Sequence, residues 1–308
     1  MYSATSTHPI TAVNMKNLRS VAQRYRVERG KGFHLKDHDP ADTWNLDSRE
    51  HAVDALEKGL AQLVDLQDKL YAQDRWALLL ILQGMDAAGK DSVVKHVMSG
   101  VNPQGCTVSS FKPPSEEELN HDYLWRAVAR LPARGQIGIF NRSYYEEVLV
   151  VRVHSHLLKA EKLPRALIKQ KIWRHRFQDM CAFERYLGRN GIVVRKIFLH
   201  LSREEQRKRF LARLERPEKN WKFSMADVLE REHWDEYMDC YEDMIRNTAT
   251  AGAPWYIVPA DHKWFSQLVV AAAIVDALKE LKLDYPKVEE DRSKELGEAR
   301  RMLEEEEV

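Results

Sequence analysis

The chain has 308 residues, enough to bury a sizeable core as one α/β domain or to divide into two domains. Its 48 lysines and arginines nearly balance 47 aspartates and glutamates, so the net charge is only +1. This balance excludes a uniformly basic surface of the kind that binds nucleic acid, and any anion site must be a local patch.

The cysteines and the apolar runs exclude two further classes of protein. Cys106, Cys181 and Cys240 form no CxxC motif, which is typical of thiols kept reduced. No run of 18 apolar residues is present, so we expect neither a membrane-spanning helix nor a membrane partner. The start of the chain lacks the apolar core of a secretory signal. We expect a cytoplasmic location, with an organelle transit peptide as the alternative.

Helix and strand patterns alternate along the chain. Residues 1–46 lack sustained periodicity, and we expect an extended N-terminal segment there. Apolar periodicity and capping residues predict helices over residues 48–72, 90–99, 115–130, 165–188 and 263–282, and two more that begin after the cap at Ser202 and after Ser224. Apolar runs predict strands at residues 77–82, 107–111, 136–140, 192–201 and 255–259. The tail from residue 286 is dominated by Glu and Arg, and both a solvated helix and disorder fit it.

This alternation favours one α/β domain, a parallel five-stranded sheet flanked by helices. In such sheets, ligands bind at the carboxyl ends of the strands. The candidate site residues are therefore those that follow the strands, namely residues 84–91, 111–114, 141–147 and those from Ser202 onward.

The turn after the first predicted strand of the sheet has the spacing of a phosphate-binding loop. Gly84 and Gly89 bracket it and Lys90 follows, as in GxxxxGK. Glycines let the backbone wrap an anion with its N–H groups, while the helix N-terminus and the lysine add positive charge. A surface turn is the alternative, but the flanking strand and helix favour the loop. The residues expected to contact phosphate here are Gly84, Ala87, Ala88, Gly89, Lys90 and Asp91.

Carboxylates in and beside this loop predict a divalent cation. Asp86 would repel a phosphate unless a cation lay between them, so we expect it to bind Mg²⁺, with Mn²⁺ as the alternative metal. A local backbone cap is the other interpretation of Asp86. Asn141 stands where a nucleotide hydrolase has a metal-binding Asp, and Asp91 where it has a hydroxyl. Asn141 lacks the negative charge of that Asp. Asp86, Asp91 or Glu146 could supply it, and these three are the candidate metal ligands.

Cations for the phosphates are available in two places. Arg142 has a planar guanidinium that suits phosphate oxygens, with a helix cap or an ion pair as the alternative role. Residues 195–222 contain ten Lys and Arg against four Glu. A solvated helix face is the ordinary explanation of such a run, but this excess continues into a loop with Pro and Trp. We therefore predict a mobile basic lid, residues 203–232, that closes over phosphates and excludes water.

Several blocks of the sequence, in order along residues 20–285, resemble the polyphosphate kinase 2 family. They are QGMDAAGKDSVVKHVMSGVNPQG, SFKPPSEEELNHDYLWR, GIFNRSYYEEVLVVRVH, FLHLSREEQRKRF, PEKNWKFS and APWYIVPAD. The resemblance implies a P-loop kinase fold similar to thymidylate kinase, with a helical lid. It also implies transfer of phosphate between inorganic polyphosphate and nucleotides with Mg²⁺. The kinase domain would span residues 47–285, leaving 286–308 as a charged tail.

The resemblance also implies roles for individual residues. Asp86 and Lys90 match the family's Walker-A acid and lysine. Asn141 and Arg142 match its Walker-B pair, in which many members have Asp and some have Asn. Glu146 matches an acidic position of the subgroup that uses both AMP and ADP. The matching lid residues are Arg207, Lys208, Arg209, Lys219 and Lys222.

These features predict a phosphotransferase that uses polyphosphate to convert AMP or ADP to ADP or ATP, reversibly. An ATP-dependent nucleoside monophosphate kinase is an alternative, because the same loop could hold ATP. A non-catalytic binder of polyphosphate or nucleic acid is another, although the low net charge and the lack of a nucleic-acid motif argue against nucleic acid as a partner. We expect polyphosphate, AMP, ADP and ATP as ligands, and a homo-oligomer in the form of a dimer of dimers, as in the family.

Overall fold

The computed structural model of the chain describes residues 18–46, 49–169, 171–221, 223–287 and 290–306. Its strands are β1 Arg26–Val27, β2 Ala77–Gln83, β3 Cys106–Ser110, β4 Ile137–Asn141, β5 Ile192–His200 and β6 Trp255–Pro259. These strands form one sheet in the order β1-β6-β5-β2-β4-β3. The pairs among β2 to β6 are parallel, which confirms the predicted five-stranded parallel sheet. The sequence did not predict β1, which pairs antiparallel with β6 at the edge.

Helices cover both faces of this sheet. They are α1 Leu18–Tyr25, α2 Arg49–Gln73, α3 Lys90–Val97, α4 Glu116–Leu119, α5 Trp125–Val128, α6 Val150–Val153, α7 Ile172–Arg189, α8 Arg203–Leu214, α9 Pro217–Asn220, α10 Met225–Leu229, α11 Trp234–Thr248, α12 Lys263–Glu280 and α13 Glu290–Glu304. Successive side chains of a strand point to opposite faces. Leu78 and Leu80 of β2 therefore pack in a cluster with α1, α2, α3 and α12, whereas Leu79 and Ile81 pack with α7 and α11.

The prediction of an extended N-terminal segment is wrong for α1. Leu18, Val21, Ala22 and Tyr25 of this helix are buried, and α1 packs on α12. Their spacing of three to four residues is helical, but one short stripe did not amount to sustained periodicity. Residues 1–17 lie outside the described part of the chain.

Two predicted helices differ in the structure: one is interrupted and the other begins later. The capping box at Ser115 is confirmed, but α4 ends at Leu119 and a separate turn, α5, follows. The carboxylate of Asp122 accepts a hydrogen bond from the Leu124 N–H (2.9 Å), which starts this new turn. The helix predicted from residue 165 begins only at Ile172. The solvated helix, one of the two alternatives for the tail, is present as α13.

The sheet brings together the segments that follow its central strands. The loop after β2, the turn after β4 and the helix after β5 lie side by side because β4 and β5 flank β2 in parallel register. A 3₁₀ helix, Tyr144–Val148, follows β4. No helix in the described ranges is long and apolar enough to cross a membrane.

Candidate functional site

The loop between β2 and α3 has the backbone shape of an anion-binding turn. A Cβ atom at Gly84 would lie 2.9 Å from the backbone oxygen of Leu199, so only glycine fits against β5. Gly89 precedes α3 with a φ of 104°, a conformation that favours glycine. Ala87 also has a positive φ (64°). These constraints curl the loop over the N-terminus of α3, the position at which helices bind phosphate.

Lys90, the first residue of α3, lies almost completely inside this curl. Its Nζ donates to the backbone oxygens of Gly84 (2.7 Å) and Met85 (3.2 Å). Burial lowers the pKa of Lys90, while nearby Asp86 acts in the opposite direction. The ammonium group is thus held by carbonyls of the loop at the wall of the cavity described below.

The turn after β4 joins the loop through two side-chain contacts. Arg142 donates to Asp86 (Nη2 to Oδ1, 2.5 Å) and lies 3.8 Å from Glu146. Although burial by itself would lower it, the pKa of Arg142 is raised by the carboxylates of Glu146 and Asp86. Burial also raises the pKa of Glu146. Asn141 donates to Asp91 (2.7 Å), so the two positions that depart from the usual nucleotide-hydrolase pattern contact each other.

Helix α8 also holds the loop, through hydrogen bonds from Arg209. Arg209 donates through Nη1 to the backbone oxygens of Ala87 (2.9 Å) and Ala88 (3.1 Å), and through Nη2 to that of Ala260 (2.6 Å). Its Nε pairs with Glu205 (2.8 Å). Its guanidinium thus holds the loop backbone at the edge of the cavity, and binding of phosphate by Arg209 stays a prediction.

A cavity of about 630 Å³ lies between the loop, the turn after β4 and the predicted lid. Of the described residues that line it, eight are Lys or Arg and four are Asp or Glu. The predicted site residues that line it are Asp86, Ala87, Gly89, Lys90, Asp91, Asn141, Arg142, Lys208, Arg209 and Lys219. The cavity is thus a local cationic patch on a chain that is nearly neutral overall.

Three of the predicted phosphate-binding residues that the structure describes do not line this cavity. Gly84 packs against β5, and the Ala88 N–H donates to the Met85 oxygen (3.1 Å), so this amide closes the loop. Arg207 is 61% exposed and lies 3.5 Å from Glu204 on the same helix. The sequence position of a residue in the loop or in the basic run does not show whether its side chain or amide faces the cavity. Lys222 lies outside the described residues.

Among the described residues, five charged residues of the cavity were not predicted as site residues from the sequence. They are Glu205, Arg213, Arg216, Asp227 and Lys263. Arg213 lies 3.7 Å from Asp227, which links α8 to α10. The arginines belong to the basic run already noted, and Lys263 begins α12 shortly after β6. The rule that ligands bind after parallel strands, applied to the last strand, could have found Lys263.

A second cavity, of about 350 Å³, lies beside the first and shares Arg142 with it. We call it the side groove. Pro113, Pro114, Leu119, Val150 and Leu157 give it an apolar lining. Its remaining lining is partly acidic, and includes Glu118, Glu146, Glu147 and Glu161. Glu146 therefore faces this groove and not the cationic cavity.

The oxygen-bearing side chains near Asp86 suit a metal ion whose coordination shell is completed by a substrate. Within the described ranges, no three His, Cys, Asp or Glu side chains are grouped so that they could hold a metal by themselves. Mg²⁺ at phosphoryl-transfer sites uses one or two carboxylates and fills its octahedron with phosphates and water. Asp86, Asp91 and Asn141 line the cavity with oxygen-bearing side chains, which fits such a partial site.

Comparisons with known proteins agree on one family. The family model for polyphosphate kinase 2 matches residues 46–286. An ADP-polyphosphate phosphotransferase of Rhodopseudomonas palustris is 51% identical over 83% of this chain and 89% of its own length. An AMP/ADP-polyphosphate phosphotransferase of Meiothermus ruber is 42% identical over 87% of this chain and 96% of its own. The crystal structure of polyphosphate kinase 2 from Arthrobacter aurescens is similar, with a TM-score of 0.83, 38% identity, and coverage of 91% and 96% of the two chains.

Proposed function

The chain belongs to the polyphosphate kinase 2 family, and we propose that it transfers a phosphoryl group from inorganic polyphosphate to AMP or ADP. The observation that carries this function is the position of Arg142 in the wall of both cavities. A cavity whose charged lining is mostly Lys and Arg suits a chain of phosphates. An adjoining apolar groove suits a nucleotide, whose base needs apolar contact.

In this arrangement the polyphosphate chain lies along Lys90, Lys208 and Lys219, and the nucleotide occupies the side groove. An oxygen of the nucleotide's terminal phosphate attacks the terminal phosphorus of the chain. A new P–O bond forms, the P–O bond to the next phosphate breaks, and the shortened chain leaves with the electron pair. Arg142 lies between the two ligands, where charge builds up on the transferring group.

The divalent metal that such transfers require is proposed to be Mg²⁺, with Mn²⁺ as a substitute. Bound by Asp86, with Asp91 and Asn141 nearby, it would neutralise charge on the phosphates and fix their orientation. Asp86 is itself held in place by Arg142 and, through its backbone oxygen, by the Gln206 amide (2.9 Å). The cytoplasmic location and the homo-oligomer remain predictions.

A transfer assay tests the function directly. Purified protein is incubated with polyphosphate, Mg²⁺ and either AMP, ADP or GDP, in the absence of ATP, and the products are separated by anion-exchange chromatography. We expect ADP from AMP and ATP from ADP. No product with polyphosphate, but ADP from AMP plus ATP, would identify the ATP-dependent kinase instead. Binding of polyphosphate without any product would indicate the non-catalytic alternative.

Asp86→Asn tests the metal assignment. The amide keeps the shape of the side chain but removes its charge, so we expect transfer to fall by about 100-fold and the Mg²⁺ concentration for half-maximal rate to rise. Asp227→Asn is the matched control, because Asp227 lines the same cavity but pairs with Arg213. Equal Mg²⁺ requirements in the two variants would remove Asp86 from the metal site.

A further inference from the structure

A fully buried ion pair lies beneath the turn that carries Arg142 and Glu146. Glu184 of α7 and Lys196 of β5 have side chains that are 1% and 0% exposed, and their charged atoms are 2.7 Å apart. Lys196 also donates to the backbone oxygen of Thr248 (2.7 Å). Neither residue lines either of the two cavities. The catalytic arrangement described above therefore does not use this pair directly.

The pair is connected to the turn by two hydroxyl groups. Tyr144 and Tyr145 both donate to the same carboxylate oxygen of Glu184, at 2.9 and 2.6 Å. Lys196 in turn donates to the Tyr145 hydroxyl (3.2 Å). Burial, followed by the Glu184 carboxylate, raises the pKa of both tyrosines, so the hydroxyls stay protonated and remain donors.

These tyrosines stand between the two residues that contact each other in the site. Arg142 has a φ of 62°, and the Ser143 hydroxyl then accepts from the Tyr145 N–H (3.1 Å), which starts the 3₁₀ helix Tyr144–Val148. Tyr144 and Tyr145 extend into the core, whereas Arg142 and Glu146 reach the cavities. The orientation of the tyrosines therefore fixes the orientation of Arg142 and Glu146.

Stability does not account for a charged pair in this place. Removing two charges from water has a large desolvation penalty, and apolar residues of similar volume often stabilise a core as well or better. Hydrogen bonds differ from apolar packing in being directional, so two bonds to one oxygen fix the rotation of the turn. Displacement of a reacting group by about 1 Å can reduce a rate by about 100-fold.

We propose that Glu184 and Lys196 are positioning residues for phosphoryl transfer: through the hydroxyls of Tyr144 and Tyr145 they hold the turn that places Arg142 between the two substrates and Glu146 in the side groove. This inference rests on the proposed function of the site. It assigns no contact with substrate to the pair. It predicts that the turn can lose its alignment while the fold remains intact.

The double variant Tyr144→Phe/Tyr145→Phe is the first test. It removes both hydroxyls but keeps the rings and leaves Glu184 paired with Lys196. We expect kcat to fall by about 10- to 100-fold while the KM for polyphosphate changes less than threefold. Tyr256→Phe is the matched control, because Tyr256 is fully buried and its hydroxyl has no hydrogen-bond partner among the residues that the structure describes. A kcat for the double variant within twofold of this control would overturn the proposal.

The second variant, Glu184→Met/Lys196→Met, separates positioning from stability. Both charges are replaced together by apolar side chains of similar length, so no unpaired charge is left in the core. The hydroxyls of Tyr144 and Tyr145 and the Thr248 oxygen lose their buried partner in this variant, so we expect a lowered Tm. At a temperature where the variant is still folded, we expect kcat to be reduced as in the tyrosine variant. A normal kcat in the folded variant would show that the pair is only part of the core.

Hydrogen exchange provides a readout that does not depend on turnover. The N–H groups of Glu146 and Leu149 donate to the Ser143 oxygen (3.1 Å) and the Glu146 oxygen (3.2 Å). Their exchange should become faster in Tyr145→Phe alone and stay unchanged in Tyr256→Phe. Unchanged exchange in Tyr145→Phe would contradict the positioning role. If the unchanged protein transferred no phosphate, the proposed function would fail, while this measurement would still test the link between the pair and the turn.

Discussion

The cavity under the predicted lid and the side groove share Arg142 but are built from different surfaces. Among the described lining residues, Lys and Arg outnumber Asp and Glu by eight to four in the cavity, whereas the groove combines four Glu and three Lys or Arg with an apolar lining. A phosphate chain needs only cations and backbone amides, and its length can vary freely in such a site. A nucleotide also needs a place for an uncharged ring. The proposed function places the donor in the cavity and the acceptor in the groove because of this difference between the two surfaces.

Lys90→Ala should produce the largest effect on the cavity side. The variant removes an ammonium group that, among the described residues, donates to two loop carbonyls, so the fold should persist while kcat falls by about 100- to 1,000-fold with either AMP or ADP. Lys95→Ala, an exposed position on the same helix, is the control for a general loss of charge. A decrease in kcat that differed strongly between AMP and ADP would contradict the assignment of the cavity to the donor and of the groove to the acceptor.

Leu119→Ala probes the groove side. Loss of this apolar contact should raise the KM for AMP and ADP by about tenfold, because each buried CH₂ contributes about 0.8 kcal/mol. The KM for polyphosphate should stay unchanged. Leu211→Ala, a leucine on α8 that is 45% exposed and lines neither cavity, serves as the control. If polyphosphate were affected as strongly as the nucleotide, the groove would not be a separate acceptor site.

A smaller effect is expected for the lid, where two adjacent cations can be compared. Lys208 lines the cavity, whereas Arg207 is exposed beside Glu204. Lys208→Ala should raise the KM for polyphosphate by about fivefold, which corresponds to about 1 kcal/mol for a partly solvated ion contact. It should also weaken the dependence of that KM on salt. Arg207→Ala should behave like the unchanged protein, and equal effects would show that the lid acts only through its net charge.

Periodicity and turn residues were sufficient to predict most of the fold. The runs that form β2, β5 and β6 are apolar because parallel strands are buried on both faces, and this made them easy to identify. Short elements were not predictable in the same way. The two-residue strand β1 has no periodicity of its own, and it exists because β6 offers it an edge.

The site was predictable where a motif ties a residue to the backbone, and less so where tertiary contacts decide. Gly89, Lys90 and Asp86 could be identified from the loop spacing alone. Arg207 and Arg209 belong to the same basic run, yet one is solvated and the other is buried among carbonyls. The local sequence does not distinguish the two arginines, because the difference depends on which face of α8 packs against the loop.

The contacts of α8 limit how the predicted lid can move. Gln206 holds the backbone oxygen of Asp86, and Arg209 holds those of Ala87 and Ala88, so the first half of this helix is fastened to the phosphate-binding loop. Any closing movement must therefore pivot beyond Arg209. Lys208 would then belong to the stationary rim, while Arg216 and Lys219 would travel. The phosphates would contact Lys208 when they bind, and Arg216 and Lys219 only when the site closes.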